Sequence, residues 1–231
     1  MSDESKAVKE LAATAGKAID ASQRLGGFLS KVLGDACCHL GQSLADRAQV
    51  YRYENLLRLI DKVDAIHEAR RIESKSIPML PKHALPILDH ASLEDDETIL
   101  DLWAGLVANS TDPNLKLEPK KLYIEILSSL DTVDARVLQY LKTVPDYIPM
   151  LGYVADSFVN AEKIAREIEV TEDDCLTSLS NLARNGLIDD HWNNTMESLD
   201  FGYSGFSVTN PKSNFRLSHL GSSLLKRCNA L

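Results

Sequence analysis

Residues 92–109 have the sequence SLEDDETILDLWAGLVAN, and the other predicted elements are expected to pack around this segment. Ser92 belongs to the residue types that cap helix N-termini, and Asp95 three residues later would complete a capping box. Apolar side chains then follow at the spacing of a single helix face. The pattern predicts an amphipathic helix with a tryptophan at the hub of a helical core. We define the hub residues as Ser92, Asp95, Ile99, Leu102, Trp103 and Leu106.

Helical patterns continue on both sides of this stretch. Residues 47–74 carry one long apolar stripe beside a face of alternating charge, and we expect that charged face to be solvated. His67 lies in the mixed-charge region, where a surface or boundary position is expected. Prolines at 78 and 81 end the long helix, and short connections follow, as in a helix bundle. A bundle is therefore predicted over residues 47–130.

The last third of the chain has a different pattern, in the order helix, helix, helix, hairpin, helix. Asp131 and Thr171 are predicted helix caps, each with an aspartate three residues later, and Gly186 is predicted to end the second capped helix. This order is that of a winged helix, with residues 171–185 in the recognition-helix position. The predicted fold is mainly α, a helical bundle followed by a C-terminal winged-helix-like α/β module. The predicted divisions are 1–46, a helical arm rich in Ala and Gly, then 47–130 and 131–231.

The N-terminal arm admits two interpretations. Residues 8–44 combine helical apolar stripes with several glycines, each of which costs roughly 1 kcal/mol in a helix relative to Ala. In the first interpretation the arm packs on a partner or on the rest of the chain. In the second it lies on a membrane surface, with basic side chains at the lipid phosphates. The candidate membrane or partner contacts are Phe28, Leu29, Val32 and Leu33.

The negative net charge of the chain makes a nucleic acid an unfavourable partner. The formal net charge is −9, and only the first 80 residues, with 12 basic and 11 acidic side chains, escape the acidic excess. The predicted recognition helix begins with Glu172, Asp173 and Asp174, which would face DNA phosphates. A winged-helix transcription regulator is therefore disfavoured. A protein partner or self-association is expected instead.

The sequence contains no phosphate loop, nucleophile elbow, HExxH motif or CxxC motif. We therefore predict no catalytic residue, no metal site, no cofactor and no small-molecule ligand, and we expect a protein that is not an enzyme. Helix capping explains the acidic run 94–97 better than a cation site. Four cysteines without disulfide or metal spacing indicate a reducing cytoplasm. The membrane interpretation would add a peripheral position at the inner membrane.

Four segments together resemble a known family. They are YENLLRLIDKV (53–63), LPKHALPILDHASLEDDETILDLWAGLVANSTDP (80–113), YIEILSSLDTVDARVLQYL (123–141) and FRLSHLGSSLLKRC (215–228). Their order and wording are similar to the abortive-infection alpha family of bacteria and prophages, over roughly residues 45–228. The resemblance implies a role in defence against bacteriophage, in which an infected cell stops growing or dies. It supplies no catalytic residues.

Overall fold

The computed structural model describes residues 23–32, 50–72, 76–115, 117–144, 159–192 and 213–228. Within these ranges the chain forms nine helices and three short strands, so the predicted mainly α fold is confirmed. The chain divides into two compact units. The first comprises Met1–Ser129 with Arg227–Leu231, and the second comprises Leu130–Lys226.

The described residues of the first unit form five helices, whose apolar faces make its core. Prolines and a left-handed residue separate them: α2 ends just before Arg71, whose φ is 57°, and α3 begins at a proline. The described helices are α1 (23–32), α2 (Val50–Arg70), α3 (Pro81–Ala91), α4 (Glu97–Thr111) and α5 (Lys121–Leu127).

The hub stretch forms α4, which packs along α2, but its N-terminus differs from the prediction. Asp96 caps α4 by accepting hydrogen bonds from the backbone N–H groups of Thr98 (2.8 Å) and Ile99 (3.0 Å). Ser92 instead stands at the C-cap of α3, and its hydroxyl donates to the Asp89 carbonyl at 2.7 Å. The capping box of Ser92 and Asp95 was therefore wrong. Because α3, which begins at Pro81, extends to Ala91, the cap of α4 is a later residue of the acidic run, Asp96.

The apolar hub side chains lie in the core of the first unit. Trp103 is 1% exposed, and its ring stacks parallel to that of His90, with the centroids 6.1 Å apart. Every residue of α4 from Leu102 to Thr111 is buried, including the polar ones at its C-terminal end. The other buried hub side chains are Ile99, Leu102 and Leu106.

The sequence predicts that the charged face of α2 is solvated, but several of its side chains form ion pairs with a neighbouring helix. Its basic side chains reach acidic residues of α4: Arg58 pairs with Glu97, and Lys62 pairs with Glu97 and Asp101. These pairs cross between helices because the acidic start of α4 lies beside α2. The alternating charges of α2 therefore connect it to α4. The sequence of α2 alone does not predict these contacts.

The second unit places three helices against a three-stranded antiparallel sheet of order β1-β3-β2. The hairpin strands pair from Ile188 opposite Leu217 to Trp192 opposite Ser213, and β1 pairs Val159 with Phe215. The sequence pattern does not predict β1, because two residues carry no detectable period. The elements are α6 (Thr132–Thr143), β1 (Val159–Asn160), α7 (Ala161–Glu167), α8 (Glu172–Arg184), β2 (Ile188–Trp192) and β3 (Ser213–Leu217), and α9 (His219–Cys228) begins in this unit.

The predicted caps of this unit are confirmed. Asp131 and Asp134 form the capping box of α6, and Thr171 caps α8 by accepting from the backbone N–H of Asp174 at 3.1 Å. Gly186 follows α8 with φ of 68°, a left-handed conformation that glycine adopts without steric cost. Gly221 serves packing instead, because a Cβ there would lie 2.1 Å from the carbonyl oxygen of Leu187.

Candidate functional site

Within the described part of the second unit, α8 carries the exposed large apolar side chain. Leu176 is 45% exposed, although its neighbours Cys175 and Leu179 are buried. Glu172 and Asp173 are exposed one turn before it, at the N-terminus of the helix. We define the α8 face as Glu172, Asp173, Leu176, Thr177 and Ser180, all exposed. It combines one large apolar side chain with two carboxylates.

The opposite side of α8 is held to α6 by a buried carboxylate. Asp134 is 2% exposed and accepts hydrogen bonds from the Ser178 hydroxyl and the Asn181 amide, both at 2.6 Å. It also accepts from the backbone N–H of Asp131 at 3.0 Å. A buried carboxylate is tolerated only when such donors surround it. Asp134 thus fixes the rotation of α8 and, with it, the direction in which the α8 face points.

A polar cluster that the sequence pattern did not predict lies at the C-terminal end of α4. His67 of α2 is 4% exposed, so the expected surface or boundary position was wrong. Its Nε2 lies 3.0 Å from the Thr111 hydroxyl and 3.4 Å from the Ala108 carbonyl. Burial lowers the pKa of His67, and the carbonyl contact offsets that shift only in part. The neutral ring is therefore a structural group that closes the end of α4.

An ion pair completes this cluster. Arg70 donates from Nη1 to the Asn109 side-chain oxygen at 2.8 Å and lies 3.4 Å from a carboxylate oxygen of Asp112. The two charged side chains are 15% and 4% exposed. The sequence contains a sign of this cluster, because the four polar residues NSTD (109–112) follow the apolar part of the helix. That these four side chains face inward follows only from the position of α2.

Three of the four candidate contact residues of the N-terminal arm are buried in the fold. Phe28 and Leu29 are each 4% exposed, and Val32 is 2% exposed, whereas Leu33 lies outside the described residues. Two charged pairs, Arg24 with Asp61 and Lys31 with Asp64, join α1 to α2. The described apolar side chains of α1 therefore pack on the rest of the chain.

The described part of the chain shows no group of three His, Cys, Asp or Glu side chains placed to hold a metal ion. Cys175 and Cys228 are buried, and burial raises the pKa of both thiols, which keeps them protonated and unreactive at neutral pH. Among the helices of the described ranges, none has the length and apolar character needed to cross a membrane.

Comparison with known proteins gives one result. No curated protein and no solved structure matches the chain. Residues 51–228 match the family described as abortive infection alpha, and this span contains α3–α9, the sheet and the buried polar groups around Asp134 and His67. Because the match covers most of the 231 residues, the chain belongs to the abortive infection alpha family, which indicates a role in abortive infection.

Proposed function

We propose that this protein defends bacteria against phage without catalysing a reaction, by binding another protein through the α8 face. Family membership over residues 51–228 supports the defence role. The proposed binding mode rests on the exposed side chain of Leu176, which lies beside Glu172 and Asp173 on α8. Hydrogen bonds to Asp134 hold the orientation of this helix. An apolar residue beside charged ones on a rigid element suits protein recognition.

The charge of the α8 face specifies the chemistry of the partner. Glu172, Asp173 and Asp174 lie in the first turn of α8, and Arg184 at its other end is the only basic residue of the helix. A partner would therefore present a basic surface around an apolar depression that receives Leu176. Complementary charge of this kind favours the correct partner and accelerates association.

The architecture of the second unit supports the same proposal. The element order from α6 to α9 and the strand order β1-β3-β2 are compatible with a winged-helix-like module, in which α8 takes the position that reads DNA in helix-turn-helix proteins. Acidic residues at the start of that helix repel phosphates. We infer that the module contacts protein instead.

Phage plating on cells that express variants of this protein tests the proposal. Leu176→Ser is expected to abolish protection, because it removes the apolar anchor of the α8 face without touching the core. Leu93→Ser is the matched control, since Leu93 is a similarly exposed leucine (49%) in the first unit. Glu172→Lys combined with Asp173→Lys is also expected to abolish protection, while circular dichroism shows an unchanged fold.

Two results would contradict separate parts of the proposal. Protection by the α8 variants equal to that of the unmodified protein would exclude the α8 face. Unchanged phage yield across a broad panel, with the unmodified protein expressed, would count against the defence role itself.

Membrane action is the alternative, and it requires α1 to leave its buried position before Phe28 and Leu29 can enter lipid. Flotation of the full chain with anionic vesicles, lost in a Phe28→Asp and Leu29→Asp variant that remains folded, would favour this alternative.

A further inference from the structure

The first unit carries an exposed leucine next to two exposed lysines. Leu122 of α5 is 47% exposed, and the two residues before it, Lys120 and Lys121, are exposed as well. The inward residues of α5 are buried, so the helix is fixed with these side chains on its outer side. We define the α5 surface as Lys120, Lys121 and Leu122.

The end of α9 brings a third cation to the α5 surface. The guanidinium carbon of Arg227 lies 5.4 Å from the centroid of the Tyr123 ring, and Arg227 donates to the Glu118 carbonyl at 3.1 Å. The carboxylates nearest along the chain are those of Glu118 and Glu125, and Glu125 pairs with Lys121 at 3.2 Å. The two side chains of this pair are 60% and 85% exposed, so the pair contributes little in water. Lys121 can therefore exchange this partner for another carboxylate.

The two lysines distinguish Leu122 from the other exposed large apolar residues of the described chain. Within two positions along the sequence, Leu122 has two lysines, whereas Leu80 has one and Leu93 has two carboxylates instead. Among these residues, Leu122 is therefore the one best suited to contact an acidic partner.

The α5 surface is the chemical complement of the α8 face. Each combines one exposed leucine with two charged side chains close to it, and the charges are of opposite sign. Leu176 can pack against Leu122 and between the aliphatic stems of the two lysines, whose ammonium groups then reach the carboxylates of Glu172 and Asp173. Opposite charges around an apolar contact favour the matching partner and steer its association.

We propose that the partner of the α8 face is the α5 surface of a second copy of this chain. The inference rests on the proposed function, because it takes the α8 face as a protein-binding surface and identifies what binds there. The α8 face lies in the second unit and the α5 surface in the first, so each copy supplies two different surfaces. A contact between two different surfaces is repeated from copy to copy and builds a ring or a filament.

Light scattering of the full-length protein, after size-exclusion chromatography, tests the association. The unmodified protein is expected to be larger than a monomer. Two variants each reverse one surface: the α8 variant is Glu172→Lys with Asp173→Lys, and the α5 variant is Lys120→Glu with Lys121→Glu. Each variant alone is expected to be monomeric, because like charges then meet. An equimolar mixture should associate again, because each reversed surface meets its complement on the other variant.

The matched control is Lys82→Glu with Lys163→Glu. It reverses two exposed lysines on α3 and α7 and changes the net charge by as much as the α5 variant does, so it should associate like the unmodified protein. Leu122→Ser and Leu176→Ser should each weaken association by roughly 10- to 100-fold, because each removes a leucine that the contact buries.

Three results would overturn the proposal. The first is a monomeric unmodified protein. The second is loss of association in the control, which would assign the effect to net charge. The third is a mixture that stays monomeric although circular dichroism shows both variants folded, because the two reversed surfaces would then not be each other's partners.

Phage plating separates this inference from the proposed function. Cells that express either variant alone are expected to lose protection, and co-expression of both variants should restore it. If the unmodified protein is monomeric and Leu176→Ser still abolishes protection, the self-association is excluded and the proposed function stands. If the copies associate as described and the α8 variant protects fully, the proposed function is excluded and the self-association stands.

Discussion

At the scale of single residues, His67 links a buried hydrogen bond to the pH dependence of the protein's stability. It lies among charged neighbours along the chain, yet in the fold it is buried between α2 and the end of α4. Its Nε2 lies within hydrogen-bonding distance of Thr111, whose hydroxyl donates to the Val107 carbonyl at 2.9 Å. The Thr111 oxygen is therefore free to accept from a neutral histidine. Burial favours this neutral form and gives the site a dependence on pH.

We expect the stability of the protein to fall below pH 6.5 because of His67. Burial lowers its pKa in the folded state, so below the ordinary value of about 6.5 the unfolded chain takes up a proton that the folded chain excludes. Nearby Lys31 lowers the pKa further, whereas Asp64 and Asp112 raise it. His67→Gln should flatten the profile between pH 6.5 and the lowered pKa, by no more than about 1.4 kcal/mol per pH unit.

Urea unfolding at a series of pH values measures this effect. His219→Gln, which removes an exposed histidine, is the control and should keep the profile of the unmodified protein. An identical pH profile for His67→Gln and the unmodified protein would show that His67 does not titrate differently on unfolding.

At the scale of elements, local signals predicted helix ends well when the cap and its partner were both local. The caps at Asp131 and Thr171 depend on side chains that reach backbone groups two or three residues away. The start of α4 was missed because Ser92, its predicted cap, stands at the C-terminal end of α3, and Asp96 caps α4 instead. Rules for helix capping that consider only a few adjacent residues do not include the position at which the preceding helix ends.

The junction between α6 and α8 provides an energetic prediction. Asp134→Ala should destabilise the second unit by about 2–4 kcal/mol, because it leaves the Ser178 hydroxyl and the Asn181 amide without their buried acceptor. Ser178→Ala removes a single donor and should cost about 1 kcal/mol. Asp173→Ala, at an exposed carboxylate on α8, is the matched control and should stay within about 0.5 kcal/mol of the unmodified protein.

Chemical unfolding followed by circular dichroism gives these free energies. Equal effects of Asp134→Ala and Asp173→Ala would mean that the buried carboxylate does not join the two helices. The defence assay adds a functional check, because a loosened α8 should also protect less well.

At the scale of the whole molecule, the net charge of −9 sets what the chain can bind. We expect no binding to duplex DNA stronger than the usual non-specific range of about 1–100 µM, even at low salt. Fluorescence anisotropy with labelled duplex measures it. Glu172→Lys with Asp173→Lys should raise the affinity, because the start of α8 then attracts phosphates. Tight binding by the unmodified protein, lost steeply on adding salt, would overturn the acidic-face argument.

The helical class, the hub helix, the caps of α6 and α8 and the family could be predicted from the amino-acid sequence. These follow from periodicity, from cap chemistry and from motif order, which are all local along the chain. Trp103 needed only its place on an apolar stripe to be assigned to the core.

Features that depend on which elements meet required the folded chain. Packing turned His67 and the NSTD segment inward, paired the charges of α2 with those of α4, and buried the apolar side chains of α1, for which the sequence favoured packing on a partner or on the chain over contact with lipid. The physical reason is the same in each case: an amphipathic face specifies that it will be covered, and only the packed chain specifies what covers it.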